Sequence, residues 1–316
     1  MNTLYIPVID FQAYALGQDC PVADLDKLGS EMCKALEDIG FCYLKNHGIS
    51  QDVINDAFSS SRRFFMQPEE EKEKFARSKS KHFNFGWVGK EGEKLNGPDH
   101  PGDYKETWNV TMNKQEDYSG EWPSHFPELK SSMEILWEKG TELSLKVFDV
   151  IAYGLNLEDK QFFRKCHKLI GTPNNKSLLR SLFYPEIPAD YEIKEGQLRC
   201  GEHTDYGPLT LLFQDDVGGL EVRNRDGQFV PATPIPGTIL VNIGDILQRW
   251  TADKLMATKH RILMPSANME RGQTRQSIAF FTFSDDDVMI ECLDKSNRYE
   301  PIKSIDYLNS KFSLTY

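Results

Sequence analysis

From about Leu178 onward the chain becomes a succession of short β-type runs broken by turn residues, and this texture limits the folds open to it. The runs are Leu178–Tyr184, Gln197–Asp205, Leu209–Gln214, Gly219–Arg223, Phe229–Ala232, Thr238–Ile243, Met256–Leu263, Thr274–Phe283 and Val288–Cys292. No helical pattern separates them, so a sandwich or jelly roll is expected rather than a βαβ sheet. Asn224-Arg225-Asp226-Gly227 reads as a hairpin turn in which Gly227 can take a positive φ.

Ahead of this β-rich part the chain reads mainly as helices. Ile6 to Phe11 is a short apolar strand. Leu25, Leu28, Met32, Leu36 and Ile39 recur at the spacing of one helical face, and Gly40 ends that helix before the strand Phe41-Cys42-Tyr43-Leu44. A second helix carries Val53, Ile54, Ala57, Phe58 and Phe65, with Pro68 near its end. From about Pro127 to Gly154, Leu129, Met133, Leu136, Leu143, Val147 and Ile151 describe a long helix suited to packing on a sheet. Ser304 to Phe312 reads as a last helix capped by Ser304, with Ile305, Leu308 and Phe312 on one face. The expected class is α+β. A helix and strand region covers 1–120, supporting helices 121–175, a β core 176–292 and a C-terminal helix 293–316, packed as one compact unit.

Charge and composition narrow the partners. With 37 basic and 48 acidic residues the net charge is −11, which disfavours nucleic acid and anionic membrane surfaces. No apolar run approaches the ~20 residues of a membrane helix. The start lacks a basic region followed by an apolar one, so no secretory signal is read and a cytoplasmic protein is expected. The six cysteines are scattered without a Cys-x-x-Cys pair, as reduced thiols would be. Cys200-x-x-His203 has no second pair to close a structural zinc site. Nothing in the sequence specifies an oligomeric state.

Within the β-rich part, Gly-Glu-His203-Thr-Asp205-Tyr-Gly and Ala-Thr-Lys-His260-Arg-Ile supply two histidines and one carboxylate. Residues two apart on a strand share a side, so His203 and Asp205 can face one point, and His260 comes from a later strand. Two imidazoles with one carboxylate suit Fe(II) and leave coordination positions open; zinc or manganese would accept the same set. Arg275 and Ser277 also share a strand face, where a guanidinium beside a hydroxyl makes a receptor for a carboxylate. Tyr184 could donate to the same carboxylate or simply cap the core edge. Arg180, on the same strand side as Tyr184 and Leu182, should point inward, toward either a core carboxylate or an acidic group of a small substrate.

Taken in order, these segments resemble the iron- and 2-oxoglutarate-dependent oxygenases of the isopenicillin N synthase-like family. The resemblance runs through Ile6-Pro7-Val8-Ile9-Asp10-Phe11, Gly40 to Gly48, Phe64-Phe65-Met66-Gln67-Pro68, and Gly102-Asp103-Tyr104-Lys105-Glu106. It continues through His203 to Gly207, Leu209 to Asp215, Gly219 to Val222, Val241 to Asp245 and His260-Arg261. It implies a distorted double-stranded β-helix with Fe(II) at His203, Asp205 and His260. It also implies that Arg275, Ser277 and Tyr184 receive the distal carboxylate of 2-oxoglutarate, and that His47 belongs to a structural turn. Glu202 stands where a small residue is common and should point away from the metal. The longer segment between His260 and Arg275 is expected to form the tip of an antiparallel hairpin at Pro265–Thr274.

The implied activity is oxidation of a small organic molecule by dioxygen, coupled to conversion of 2-oxoglutarate to succinate and carbon dioxide. Two other readings stand beside it: an iron oxidase of the same fold that closes a ring or desaturates without 2-oxoglutarate, and a non-catalytic binding protein.

Overall fold

The computed structural model describes residues 5–18, 20–97, 99–265 and 273–315. In chain order its elements begin with β1 (Val8–Asp10), α1 (Val22–Asp38), β2 (Phe41–Lys45), α2 (Gln51–Phe65) and α3 (Glu69–Lys72). There follow β3 (Gly86–Val88), β4 (Glu106–Val110), α4 (Pro127–Gly154) and α5 (Phe162–Cys166). The β-rich part holds β5 (Leu178–Tyr184), β6 (Cys200–His203), β7 (Leu209–Gln214), β8 (Leu220–Arg223), β9 (Phe229–Pro231) and β10 (Thr238–Ile243). Last come α6 (Asp245–Trp250), β11 (His260–Ile262), β12 (Arg275–Thr282), β13 (Met289–Ile290), β14 (Ile302–Lys303) and α7 (Ser304–Thr315).

Two sheets make the jelly roll. The larger runs β1-β2-β10-β7-β12-β5-β4-β3 and the smaller β6-β11-β8-β9. Pairing is antiparallel except between β1 and β2. Alternation divides each central strand between two cores. On β12, Ile278 and Phe280 join the cluster formed with α1, α2 and α4, while Ala279 turns to the space between the sheets. On β5, Leu179 and Phe183 face the helices, and Leu182 and Tyr184 face inward. The inner face is therefore free to carry polar chemistry while the outer face packs on helices.

The helices start and stop where their sequences dictate. Pro127 opens α4, where a missing N–H costs nothing. The Ser50 hydroxyl accepts the Val53 N–H to open α2. Leu25, Leu28, Met32 and Leu36 form the buried stripe of α1. Gly227 sits at φ +80 in the turn between β8 and β9, and its N–H donates to the Asn224 carbonyl at 3.0 Å.

Four expectations need correction. A helix, α6, interrupts the β-rich part; it buries Ile246, Leu247 and Trp250 but is too short to show a periodic signal. The run Val288–Cys292 reduces to β13, which pairs with β14 in a separate two-stranded ribbon. The Ser304 hydroxyl bonds to Ser284 rather than capping α7, because both residues are buried against each other. Finally, β11 and β12 belong to different sheets, so the segment joining them crosses between sheets instead of forming a hairpin tip; residues 266–272 lie outside the described set. The strands β3 and β4 carry no clear pattern in the sequence. Both join the free edge of the larger sheet beyond β5.

The outer face of β12 is clamped by α4: Trp137 meets Phe280 edge-on, ring centroids 5.0 Å apart, and Phe280 is fully buried. Phe280→Ala should therefore lower unfolding free energy by ~3–5 kcal/mol, read by denaturant titration. A loss under ~1 kcal/mol would show that α4 is not what holds this strand in place.

Candidate active site

The two histidines are cross-strand neighbours in the smaller sheet, His260 opposite His203. Each ring is oriented by a backbone carbonyl. His203 Nδ1 bonds to Gly201 O at 2.8 Å and His260 Nδ1 to Thr258 O at 3.0 Å. A carbonyl can only accept, so both rings carry a proton on Nδ1 and turn Nε2 outward. The two Nε2 atoms each lie 3.7 Å from Asp205 Oδ1.

Asp205 follows the end of β6 and reaches across to the larger sheet. Its Oδ2 accepts from Thr210 Oγ1 at 2.6 Å and Asn242 Nδ2 at 2.7 Å, on the paired strands β7 and β10. One carboxylate oxygen is thus fully engaged and the other faces the imidazoles. Burial acts to raise the Asp205 pKa, but the two imidazoles and the two hydrogen bonds outweigh it and hold the carboxyl below its usual range. Burial, with His260 alongside, pushes His203 down to about 3 against the pull of Asp205. A neutral imidazole facing an ionised carboxylate is the protonation state that metal binding requires.

The three candidate ligand atoms lie within 4.8 Å of one another, and this is the group among the described residues able to hold a metal. Two nitrogens and one oxygen aimed at one point, with no fourth His, Cys, Asp or Glu in the group among the described residues, fit Fe(II) held on one face. Glu202 points away, to Arg223 and Lys259, as alternation requires. His47 is a turn residue whose Nδ1 accepts the Ile49 N–H at 3.1 Å. Cys200 is buried without a metal-binding partner set among the described residues.

A single cavity is lined by the triad and by Arg275, Ser277 and Tyr184, with apolar walls from Phe41, Leu182, Leu212, Leu220 and Ile262. Arg275 stands opposite Tyr184 on adjacent strands and is 1% exposed. Its Nε donates to Gly218 O at 2.7 Å, its Nη1 to Ser277 Oγ at 3.2 Å and its Nη2 to Gln214 Oε1 at 3.4 Å. The guanidinium lies over the Tyr184 ring, 4.9 Å from its centroid. Ser277 and Gln214, which bind Arg275 by their side chains, are uncharged; Asp215 acts on the guanidinium electrostatically, and the guanidinium also lines the cavity, where it attracts an anion.

A second cavity shares His203, Asp205 and Phe281 with the first and adds Asn84, Arg180, Thr204, Tyr206, Phe283 and Phe312. Arg180 reaches this cavity as expected, and it also has a carboxylate: Glu93 Oε2 lies 3.3 Å from Nη1, while Nε donates to Asn109 Oδ1 at 2.8 Å. Sequence reasoning missed Thr210, Asn242, Gln214, Asn84 and Glu93. Of these Thr210 and Asn242 carried a signal, each as a polar residue inside the apolar run of its strand, β7 and β10.

Comparison with known proteins agrees with this geometry. Residues 6–129 match the family described as the N-terminal region of non-haem dioxygenases in morphine synthesis, and residues 175–284 match the 2OG-Fe(II) oxygenase superfamily. The chain is 32% identical to the proline hydroxylase buaE of Petromyces alliaceus, over 89% of this chain and 91% of that protein. It is similar to a full-length Neurospora crassa protein whose crystal structure holds alpha-KG and thymine, with TM-score 0.83, 30% identity, and 99% and 97% of the two chains covered. A 2OG-Fe(II) oxygenase family protein from Caulobacter crescentus superposes with TM-score 0.80 at 30% identity, covering 98% of this chain and 99% of that one. The chain belongs to the 2-oxoglutarate- and Fe(II)-dependent oxygenase superfamily. It is a non-haem iron dioxygenase that uses 2-oxoglutarate and dioxygen. Among the described residues no helix is long and apolar enough to cross a membrane.

The hold on Asp205 can be tested alone. Thr210→Val keeps the shape and removes one of two donors to a buried carboxylate oxygen. The metal-free variant should lose ~1–3 kcal/mol in urea unfolding, and unchanged stability would mean that Thr210 does not carry the carboxylate.

Proposed function

We propose that His203, Asp205 and His260 are the Fe(II) ligands and that Arg275, with Ser277 and Tyr184, receives the distal carboxylate of 2-oxoglutarate. Arg180 then faces the primary substrate, a compact molecule with an acidic or hydrogen-bond-accepting edge. One observation carries this reading. Two cavities meet at the triad, the first lined by Arg275 and the second by Arg180. A cosubstrate and a substrate can then approach one metal from two chambers.

When bound, the iron would activate dioxygen, the oxidant, for attack on a substrate C–H bond; 2-oxoglutarate would supply two of the four electrons and leave as succinate and carbon dioxide, with one oxygen atom going to succinate and the other to the product. The chain's own residues do the positioning. The Gly201 and Thr258 carbonyls keep both Nε2 atoms free for the metal, and Thr210 and Asn242 keep one Asp205 oxygen turned to it. Apolar walls around the first cavity exclude water, which strengthens the pull of Arg275 on a carboxylate. Asn84 and Arg180 offer polar contacts in the second chamber, and Phe281, Phe283 and Phe312 offer apolar ones. Two relatives act on or bind compact polar molecules by name: one is a proline hydroxylase and one holds thymine. That supports a substrate of similar size here. The buried cation of Arg275 favours use of 2-oxoglutarate over a cosubstrate-free oxidase, and the intact triad favours turnover over simple binding. A cytoplasmic location accompanies this reading, and the six unpaired cysteines fit a reducing compartment.

Arg275→Ala removes a charge-assisted contact of ~2–4 kcal/mol, so the 2-oxoglutarate concentration needed for half-maximal succinate formation should rise roughly 30- to 1000-fold. An unchanged requirement would assign Arg275 to the primary substrate. Arg180→Met should leave 2-oxoglutarate binding intact and abolish the stimulation of succinate formation by the substrate that a screen identifies. A variant that unfolds, or that responds to substrate as before, would make Arg180 a purely structural partner of Glu93.

A further inference from the structure

The segment Gly102–Glu106 holds three charged residues, Asp103, Lys105 and Glu106, and all three are buried. Burying charges in a row is costly unless each has a partner and a task. Glu106 has both close at hand: Lys72 Nζ lies 2.6 Å away and the Trp87 indole donates at 2.8 Å, tying β4 to α3 and β3. Asp103 and Lys105 turn instead toward the candidate iron site.

The topology explains what Asp103 meets there. The strand β6, which ends in His203, is an edge strand, paired to β11 on one side only. Amides on its other edge need acceptors from outside the sheet. Residues 102–104 lie beside that edge and the residues that lead into it, and bond to them irregularly. The Tyr104 N–H donates to Leu198 O at 3.0 Å, and the Gln197 side chain donates to Gly102 O at 3.2 Å. Between these, Asp103 Oδ1 accepts the Gly201 N–H at 3.0 Å.

Gly201 is the residue whose carbonyl holds His203 Nδ1 at 2.8 Å. Its other side is closed as well: a Cβ at Gly201 would stand 2.5 Å from the backbone nitrogen of Asn96. Gly201 is therefore fixed by a carboxylate at its amide, an imidazole at its carbonyl and a backbone against its Cα. Asp103 in turn is held through Oδ2 by Lys105. Lys105 Nζ lies 3.5 Å from Glu93 Oε2, and the same oxygen takes Arg180 Nη1 at 3.3 Å. A buried run of alternating charge thus leads from the wall of the second cavity to the amide behind His203.

We infer that Asp103, held in place by Lys105, is a positioning residue for the iron site. It completes the free edge of β6 at Gly201, and through the Gly201 carbonyl it fixes the rotation of the His203 imidazole. Glu93 seats Arg180 on the same scaffold, so the substrate chamber and the metal ligand share one rigid mounting. This inference rests on the reading of His203 as an iron ligand.

Melting temperature alone does not test it, since truncating any buried ion pair destabilises a fold. The readout is iron itself, in the full-length protein without oxygen, with Fe(II) and 2-oxoglutarate as the only probes. Asp103→Ala and Lys105→Met should each weaken Fe(II) binding on the order of tenfold, and should shift or weaken the metal-to-ligand absorption band, at temperatures well below their own melting. Asp103→Asn keeps an acceptor for the Gly201 N–H and should recover most of the affinity. Wild-type affinity and band in Asp103→Ala would overturn the inference; should that variant not fold, the same result in Lys105→Met would overturn it. If the unaltered protein fails to bind Fe(II), the assignment of the ligands fails instead, and the two failures are distinct.

Discussion

The Asp205 carboxylate is the clasp on which the site depends. It follows a strand of the smaller sheet, yet its Oδ2 is held by Thr210 and Asn242 from two paired strands of the larger one. Its Oδ1 faces the Nε2 atoms of two histidines that sit side by side on the smaller sheet. A buried carboxylate is tolerated only when its oxygens are satisfied, so the two sheets are brought to a fixed separation by the same group that completes the donor set. Structure and chemistry are here one constraint: loosen the clasp and both the jelly roll and the metal geometry loosen.

Strand alternation then distributes the remaining work. On β12 the residues that pack against α4 and those that line the cavity occupy alternate positions, so Phe280 stabilises the strand while Arg275 and Ser277 serve the site. The same holds on β5, where Leu179 and Phe183 face the helices while Arg180 and Tyr184 face inward. The long helix α4 therefore acts on the chemistry indirectly, by fixing the strands whose other faces carry it.

Much of this was legible in the sequence because it follows from short-range periodicity. The buried stripe of α1, the length of α4, the runs of β5, β7 and β10, and the pairing of Arg275 with Ser277 on one face all show as spacing. What stayed hidden depends on partners far away in sequence. Strand β4, Glu-Thr-Trp-Asn-Val, is buried throughout, and burial of its Glu106 and Asn109 depends on Lys72 and Arg180, which meet them from elsewhere in the chain. The donors Thr210 and Asn242 gain meaning only when folding brings them to Asp205. The hairpin expected between His260 and Arg275 failed for a related reason: proximity in sequence implied a shared sheet, whereas β11 pairs with β6 and β8 in one sheet and β12 with β5 and β7 in the other.

The proposed function turns first on the cavity that His203, Asp205 and His260 share with Arg275, proposed to hold Fe(II) and 2-oxoglutarate together. Anaerobic titration with Fe(II), with and without 2-oxoglutarate, followed by admission of oxygen, addresses that junction most directly. A metal-to-ligand absorption band should appear only when both are present, and oxygen consumption with succinate formation only from that complex. Oxygen consumption by the iron-loaded protein without 2-oxoglutarate, or a band indifferent to it, would contradict the account.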